Sequence, residues 1–188
     1  MEDQLEFENL LDNILGKCNL DKVTEEGGGF SDLPNGYYLC ELENATLTTS
    51  QNSKLPMLAF KYKIVENGKA ESVDDDGNFK LIEIPKTINR PINKYYTLHT
   101  NDAAKCTEDI EKRIVPDMLK FVNEEGPLFT KECFTNTQLI REDLELLTEI
   151  KPYIWIRSNT VVQQDGSKST FYYLISWARA SKLGLTEE

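Results

Sequence analysis

The chain has 188 residues, of which 28% are charged, and a net charge of −11, values that suit one globular domain with a real core. No run approaches the ~18 apolar residues of a transmembrane helix, and the acidic start MEDQLEFENLLDNILGK lacks the basic, apolar block of a secretory leader. A cytoplasmic protein, with no membrane partner, is therefore expected. The charge is uneven: residues 1–27 and 101–150 each carry −6, and the remainder carries +1. A local cationic face is compatible with that distribution.

Residues 3–18 are expected to form an amphipathic helix, with Phe7, Leu10, Leu11, Ile14 and Leu15 on one side. The triple glycine Gly27-Gly28-Gly29 reads as a hinge, which divides the chain into an acidic arm, 1–27, and a main domain, 28–188. The arm either packs on the domain or docks a partner protein.

After a turn at Asp32–Gly36, a first strand is expected over Tyr37–Leu47 and a second over Met57–Val65. Alternation in the second puts Leu58, Phe60, Tyr62 and Ile64 inward and Met57, Ala59, Lys61 and Lys63 outward. Residues 66–80, with the acidic run Asp74-Asp75-Asp76, read as a solvated loop without the ligand spacing of a calcium-binding loop. A third strand region spans 81–99, interrupted by Pro85 and Pro91. Lys86, Arg90 and Lys94 lie in or beside that break, and Tyr95 and Tyr96 follow. Helical patterns follow at 103–125, kinked at Pro116, and at 137–149.

Tyr153–Val162 and Ser169–Arg179 read as a hairpin turning at Asp165-Gly166. With a two-residue loop, Trp155 opposes Ser176, Arg157 opposes Leu174 and Asn159 opposes Tyr172. Ile154, Ile156, Phe171, Tyr173, Ile175 and Trp177 then form a core face, opposite Trp155, Arg157, Asn159 and Tyr172. A slip of one residue would exchange faces.

The expected fold is thus mainly β with helices: an oligonucleotide-binding-like (OB) five-stranded barrel with a helical insertion, 101–150, between strands three and four. Neither nucleotide-loop glycines nor a serine-hydrolase or zinc-protease motif is present. The four scattered cysteines and the single His99 show no metal-ligand spacing. No cofactor is implied, and no enzyme activity is expected. Binding of single strands needs aromatic faces for bases and cations for phosphates. Both types occur on the β segments, and the candidates are Lys61, Lys63, Arg90, Lys94, Tyr96, Trp155, Arg157 and Tyr172.

Three patterns carry a resemblance: Gly28-Gly29-Phe30-x-x-Leu33-Pro34-x-Gly36-x-Tyr38, then Met57-Leu58-x-Phe60-x-Tyr62-x-Ile64, and finally Tyr172-Tyr173-x-Ile175-x-Trp177. With the acidic stretch Leu5-Glu6-Phe7, residues ~5–65 and ~150–180 resemble phage-encoded single-stranded-DNA-binding-like proteins. The resemblance implies an OB fold that coats single-stranded DNA in phage replication or recombination, within the host cytoplasm. Replication or recombination proteins docking on residues 3–18 are a further expected partner, and a homo-oligomer is compatible with such a role. The net charge supports an alternative, an acidic inhibitor that mimics DNA.

Overall fold

The computed structural model describes residues 33–186. The amphipathic arm at 3–18 and the glycine hinge lie outside the described residues. The described part is mainly β, with one antiparallel sheet of seven strands.

The sheet is organised around β1, Gly36–Thr49, which is long enough to serve several neighbours. Its C-terminal part pairs with β2, Pro56–Ile64. A bulge between Leu42 and Asn44 leaves Glu43 as an extra residue and bends the strand. Its N-terminal part, Gly36–Glu41, pairs with Tyr153–Ser158 of β8. On the opposite edge, Tyr37 pairs with Lys69 of β3, Gly68–Val73.

β3 forms where a loop over 66–80 was expected, and pairs with β4, Phe79–Ile84, which covers the first part of the expected strand region 81–99. The acidic run supplies only the turn between them. The Asp74 carboxylate accepts from the amides of Asp76 and Asn78, so Asp74 acts as a turn-former between two short strands. β5, Pro91–Thr97, pairs with β2 and begins directly after the corner at 85–90. The corner turns through left-handed backbone at Lys86 and Asn89.

The expected helix at 103–125 is shorter and is interrupted. It comprises α1, Ala103–Asp109, a π-helical turn, Ile110–Ile114, and α2, Val115–Met118. Pro116 explains the interruption: it has no N–H to give and would crowd the carbonyl four residues back, and the wider turn relieves both. Val122–Asn123 and Gly126–Pro127, the short β6 and β7, make a small hairpin. The second helix, α3, Thr137–Ile150, follows the expectation closely. The Asn136 side chain caps it, and Thr148 Oγ1 accepts from the Ala45 amide of β1 at 3.0 Å.

The hairpin of β8, Tyr153–Val162, and β9, Lys168–Ile175, is one residue out of the expected register. Trp155 opposes Ile175, Arg157 opposes Tyr173 and Asn159 opposes Phe171. The loop has three residues, closed by the Gln163 amide donating to the Ser167 carbonyl at 2.7 Å, with Gly166 left-handed at φ 81°. The core face is therefore Ile154, Ile156, Leu174 and, partly, Tyr172, while Phe171 and Tyr173 face out. β9 stops at Ile175. Ser176 caps a final helix, α4, Trp177–Lys182, so Trp177 and Arg179 are helical rather than strand residues.

Two apolar clusters result. The main one lies on the side of the sheet covered by α2 and α3 and includes Tyr38, Leu42, Phe60, Tyr62, Met118 and Phe121. The ring of Phe60 stacks at 6.3 Å on both Tyr62 and Phe121. The second lies on the other side, where Trp155, Tyr37, Ile175, Ala180 and Leu185 pack together.

The sheet does not close through backbone. β5 and β9 occupy the two ends of the path β5-β2-β1-β8-β9, and among the described strands no ladder joins them. Lysines span the gap instead: Lys94 Nζ donates to the Tyr172 carbonyl, and Lys120 Nζ to the Leu174 carbonyl at 2.9 Å.

Candidate nucleic-acid interface

β2 and β5 offer the outward face that carries the strongest chemistry. Lys61 lies between Asn44 of β1 and Asn93 of β5, and Lys63 between Glu41 and Pro91. Lys61 Nζ is 2.9 Å from the Glu43 carboxylate, supplied by the β1 bulge. Further along, Ala59 separates Thr46 from Tyr95, and Met57 separates Thr48 from Thr97. Tyr95 is 56% exposed, so most of its ring is open. The β1–β2 loop curls over this end, with the Lys54 amide donating to the Ser50 carbonyl at 2.9 Å. An open groove of about 630 Å³ lies between that loop and the strands, lined by Thr49, Gln51, Asn52, Met57, Tyr95 and Thr97.

Only part of the expected set meets on this face. Lys61 and Lys63 do, and Arg90 sits at the same end, its carbonyl accepting from the Ile64 amide at 3.0 Å. Arg157 is on a different part of the sheet, 5.7 Å from the Tyr37 ring and 4.0 Å from the Glu71 carboxylate.

The other four expected residues point inward or are covered. Lys94 and Tyr96 share the parity of buried Ile92 and face the core side. Lys94 Nζ lies 4.8 Å from the Tyr96 ring centroid and 3.8 Å from Asp117. The Tyr96 hydroxyl donates to Asp117 Oδ2 at 2.5 Å, and Lys120 Nζ sits 2.6 Å from Asp117 Oδ1. Burial pushes the Tyr96 phenol well above its ordinary value, with the Asp117 charge adding to it. Burial also lowers Lys94, against the opposing pull of Asp117. Tyr172 packs on the main cluster and lends its carbonyl to Lys94. Trp155 is 2% exposed, enclosed by Ile175, Ala180 and Leu185, with Lys69 Nζ 5.2 Å from its ring centroid. It presents no open ring to a base, contrary to expectation.

Along β5 the inward parity falls on Lys94 and Tyr96, so Asn93 and Tyr95 are the residues that face outward. Counting in twos from Pro91, with Ile92 inward, puts Asn93 and Tyr95 beside Lys61 and Ala59. Among the described residues there is no cluster of metal-ligating side chains, and no helix is long and apolar enough to cross a membrane.

Compared with protein-family models, curated proteins and solved structures, the chain matches none of them.

Proposed function

We infer that the chain binds single-stranded DNA on the outer face of β2 and β5, as a binding module rather than a catalyst. The observation that carries this reading is the half-exposed Tyr95 beside Asn93, Lys61 and the loop-walled groove. Stacking a base on such a ring contributes about 1–3 kcal/mol.

The strand path supports the reading. Taken as β1, β2, β5, β8 and β9, the order has helices between the third and fourth strands, as in an OB barrel, with β3–β4 as an inserted hairpin. In that fold the second and third strands and the loop between the first two take the oligonucleotide. The lysine-bridged seam between β5 and β9 stands where the barrel would close. The phage replication or recombination setting, the host cytoplasm and partner docking by residues 3–18 rest on the sequence resemblance and are proposed with it.

The face carries Glu41 and Glu43 as well as Lys61 and Lys63. Binding is therefore carried more by stacking than by charge. The test is fluorescence anisotropy of a labelled poly-dT of about 30 nucleotides at two salt concentrations. The expected slope of log affinity against log salt is shallow, about −1.4 for two phosphate contacts on a single strand. Tyr95→Ala should weaken binding about 10-fold or more, whereas Trp155→Phe should leave affinity unchanged. No anisotropy rise at low salt would overturn the reading. It would turn attention to the acidic alternative, for which exposed Glu142, Glu145 and Glu149 share one side of α3.

A further inference from the structure

The groove beside Tyr95 differs in chemistry from the rest of the β2–β5 face. The charged side chains of that face, Glu41, Glu43, Lys61 and Lys63, belong to its other end. Among the described residues that line the groove, none is charged. Met57 and Ala59 contribute apolar surface, Tyr95 a half-exposed ring, and Gln51 and Asn52 two carboxamides, alongside serine and threonine hydroxyls. The groove opens at the C-terminal end of β1, the opposite end of that strand from Gly36.

The loop that carries the carboxamides is held in one shape, and Ser50 is its centre. The Ser50 amide donates to the Leu55 carbonyl at 2.8 Å, and the Ser53 amide to Ser50 Oγ at 3.3 Å. With the Lys54 amide on the Ser50 carbonyl, these bonds hold Lys54 in left-handed backbone at φ 59°. A residue other than glycine keeps that conformation only where its surroundings enforce it. The side chains of Gln51 and Asn52 take no part in these bonds. They are exposed and have no hydrogen-bond partner among the described residues. Their donors and acceptors are left for water or a ligand.

A neutral groove offers no cation to a phosphate. It suits the edge of an unpaired base, whose face the Tyr95 ring can take. A carboxamide presents an acceptor and a donor side by side. Adenine presents the complement, an amino donor beside a ring-nitrogen acceptor. Guanine presents two acceptors there, which call for arginine or lysine, and the cytosine amino group calls for a carboxylate. Neither kind of side chain lines the groove. Thymine has a methyl group for apolar contact but no amino donor, so it meets a carboxamide at one point rather than two.

We propose that the groove reads one base of the bound strand, stacking it on Tyr95 and selecting adenine through the carboxamides of Gln51 and Asn52. The inference rests on the β2–β5 face binding single-stranded DNA, and it gives that face a base preference. The phosphates that follow the selected base run towards Lys61 and Lys63.

The test uses the full chain, with labelled poly-dT displaced by unlabelled strands of about 12 nucleotides. One competitor is all thymidine, and the other three carry a central run of adenine, guanine or cytosine. The adenine strand should compete about 10-fold better than the rest. Replacing its adenines by an analogue with carbon in place of the ring-nitrogen acceptor keeps the stacking face and should remove the advantage. Gln51→Ala combined with Asn52→Ala should level the four strands, whereas Tyr95→Ala should weaken all of them. Four strands that compete equally for the unaltered chain overturn the base-reading site and leave DNA binding standing. Preference for another base, or an adenine preference that survives the double substitution, also overturns it. If no strand binds, the DNA-binding reading itself fails and the base-reading site falls with it.

Discussion

Two junctions connect the two halves of the sheet, and they are built from different materials. Where β1 meets β8, six consecutive residue pairs from Gly36/Ser158 to Glu41/Tyr153 form a backbone ladder. Where β5 faces β9, two ammonium groups reach across and take the carbonyls of Tyr172 and Leu174. Those carbonyls lie two residues apart, on one edge of β9, where a neighbouring strand's amides would ordinarily bond. Asp117 on α2 holds both lysines and the Tyr96 hydroxyl. A ladder depends on main-chain groups that every residue but proline possesses. A junction made of Lys94, Lys120, Asp117 and Tyr96 depends on four particular side chains, so substitution and pH should separate the two.

The largest expected effect is at Asp117. Asp117→Ala leaves two half-buried ammonium groups and a buried phenol without their shared partner. Breaking such a network from one side costs about 3 kcal/mol or more. Urea unfolding should show this as a lower midpoint with an unchanged slope. A loss below about 1 kcal/mol would mean that the seam holds without its charges.

Alkali should act next, and on both junctions. Tyr38, at the ladder, is pushed up to about 12 by burial, with smaller opposing and reinforcing charges. Tyr62 and Tyr96 are raised well above 10 by burial and then by Asp117, and burial pushes the Cys40 thiol up. Each raised group stabilises the fold fully below its unfolded value, near 9 for the thiol and 10 for the phenols. That contribution is lost as pH climbs towards the folded value, at about 1.4 kcal/mol per pH unit and group. Lys94 works in the opposite direction: burial lowers it, so the fold gains as pH rises towards 10.5. Three phenols outweigh one amine, and stability should fall by about 2 kcal/mol or more between pH 9.5 and 11. Urea midpoints at those two values, read with tyrosinate absorbance, check it. A flat response would break the claim that these hydroxyls are closed to water.

The same contrast shows what could be read from residues alone. β2 was legible because Leu58, Phe60, Tyr62 and Ile64 alternate without a break, and all four are buried. α3 was legible from its apolar spacing and polar outer side. β3 was not, because it is six residues long, half-exposed, and runs into an acidic turn that resembles open loop, so its pairing with β4 went unread. The β8–β9 register turned on one residue: an Asp-Gly pair serves a two-residue turn and a three-residue loop equally, and only the Gln163–Ser167 closure decides between them. At the candidate site, Lys61 and Lys63 followed from alternation. The inward turn of Lys94 could not, because a lysine at a strand's buried position is sensible only once Asp117 and the β9 carbonyls are in place around it. Trp155 was misjudged because its cover comes from α4 and Leu185, a helix read as strand.

The smallest effect should be at the ladder's own end. Tyr153 pairs with Glu41, and its side chain is about half exposed. Replacing it with alanine removes an exposed ring but leaves every main-chain bond of the junction, including the Leu42 amide to the Pro152 carbonyl at 3.0 Å. The cost should stay near or below 0.5 kcal/mol, the ordinary range for a surface position. Amide exchange at Tyr38 and Cys40, whose main-chain groups face β8, should be unchanged. Slower unfolding of Tyr153→Ala than of Asp117→Ala follows from the same reasoning, since the main-chain ladder at this junction survives the substitution. A loss at Tyr153 comparable with that at Asp117 would show that the ladder, too, leans on its side chains, and the distinction between the two junctions would fail.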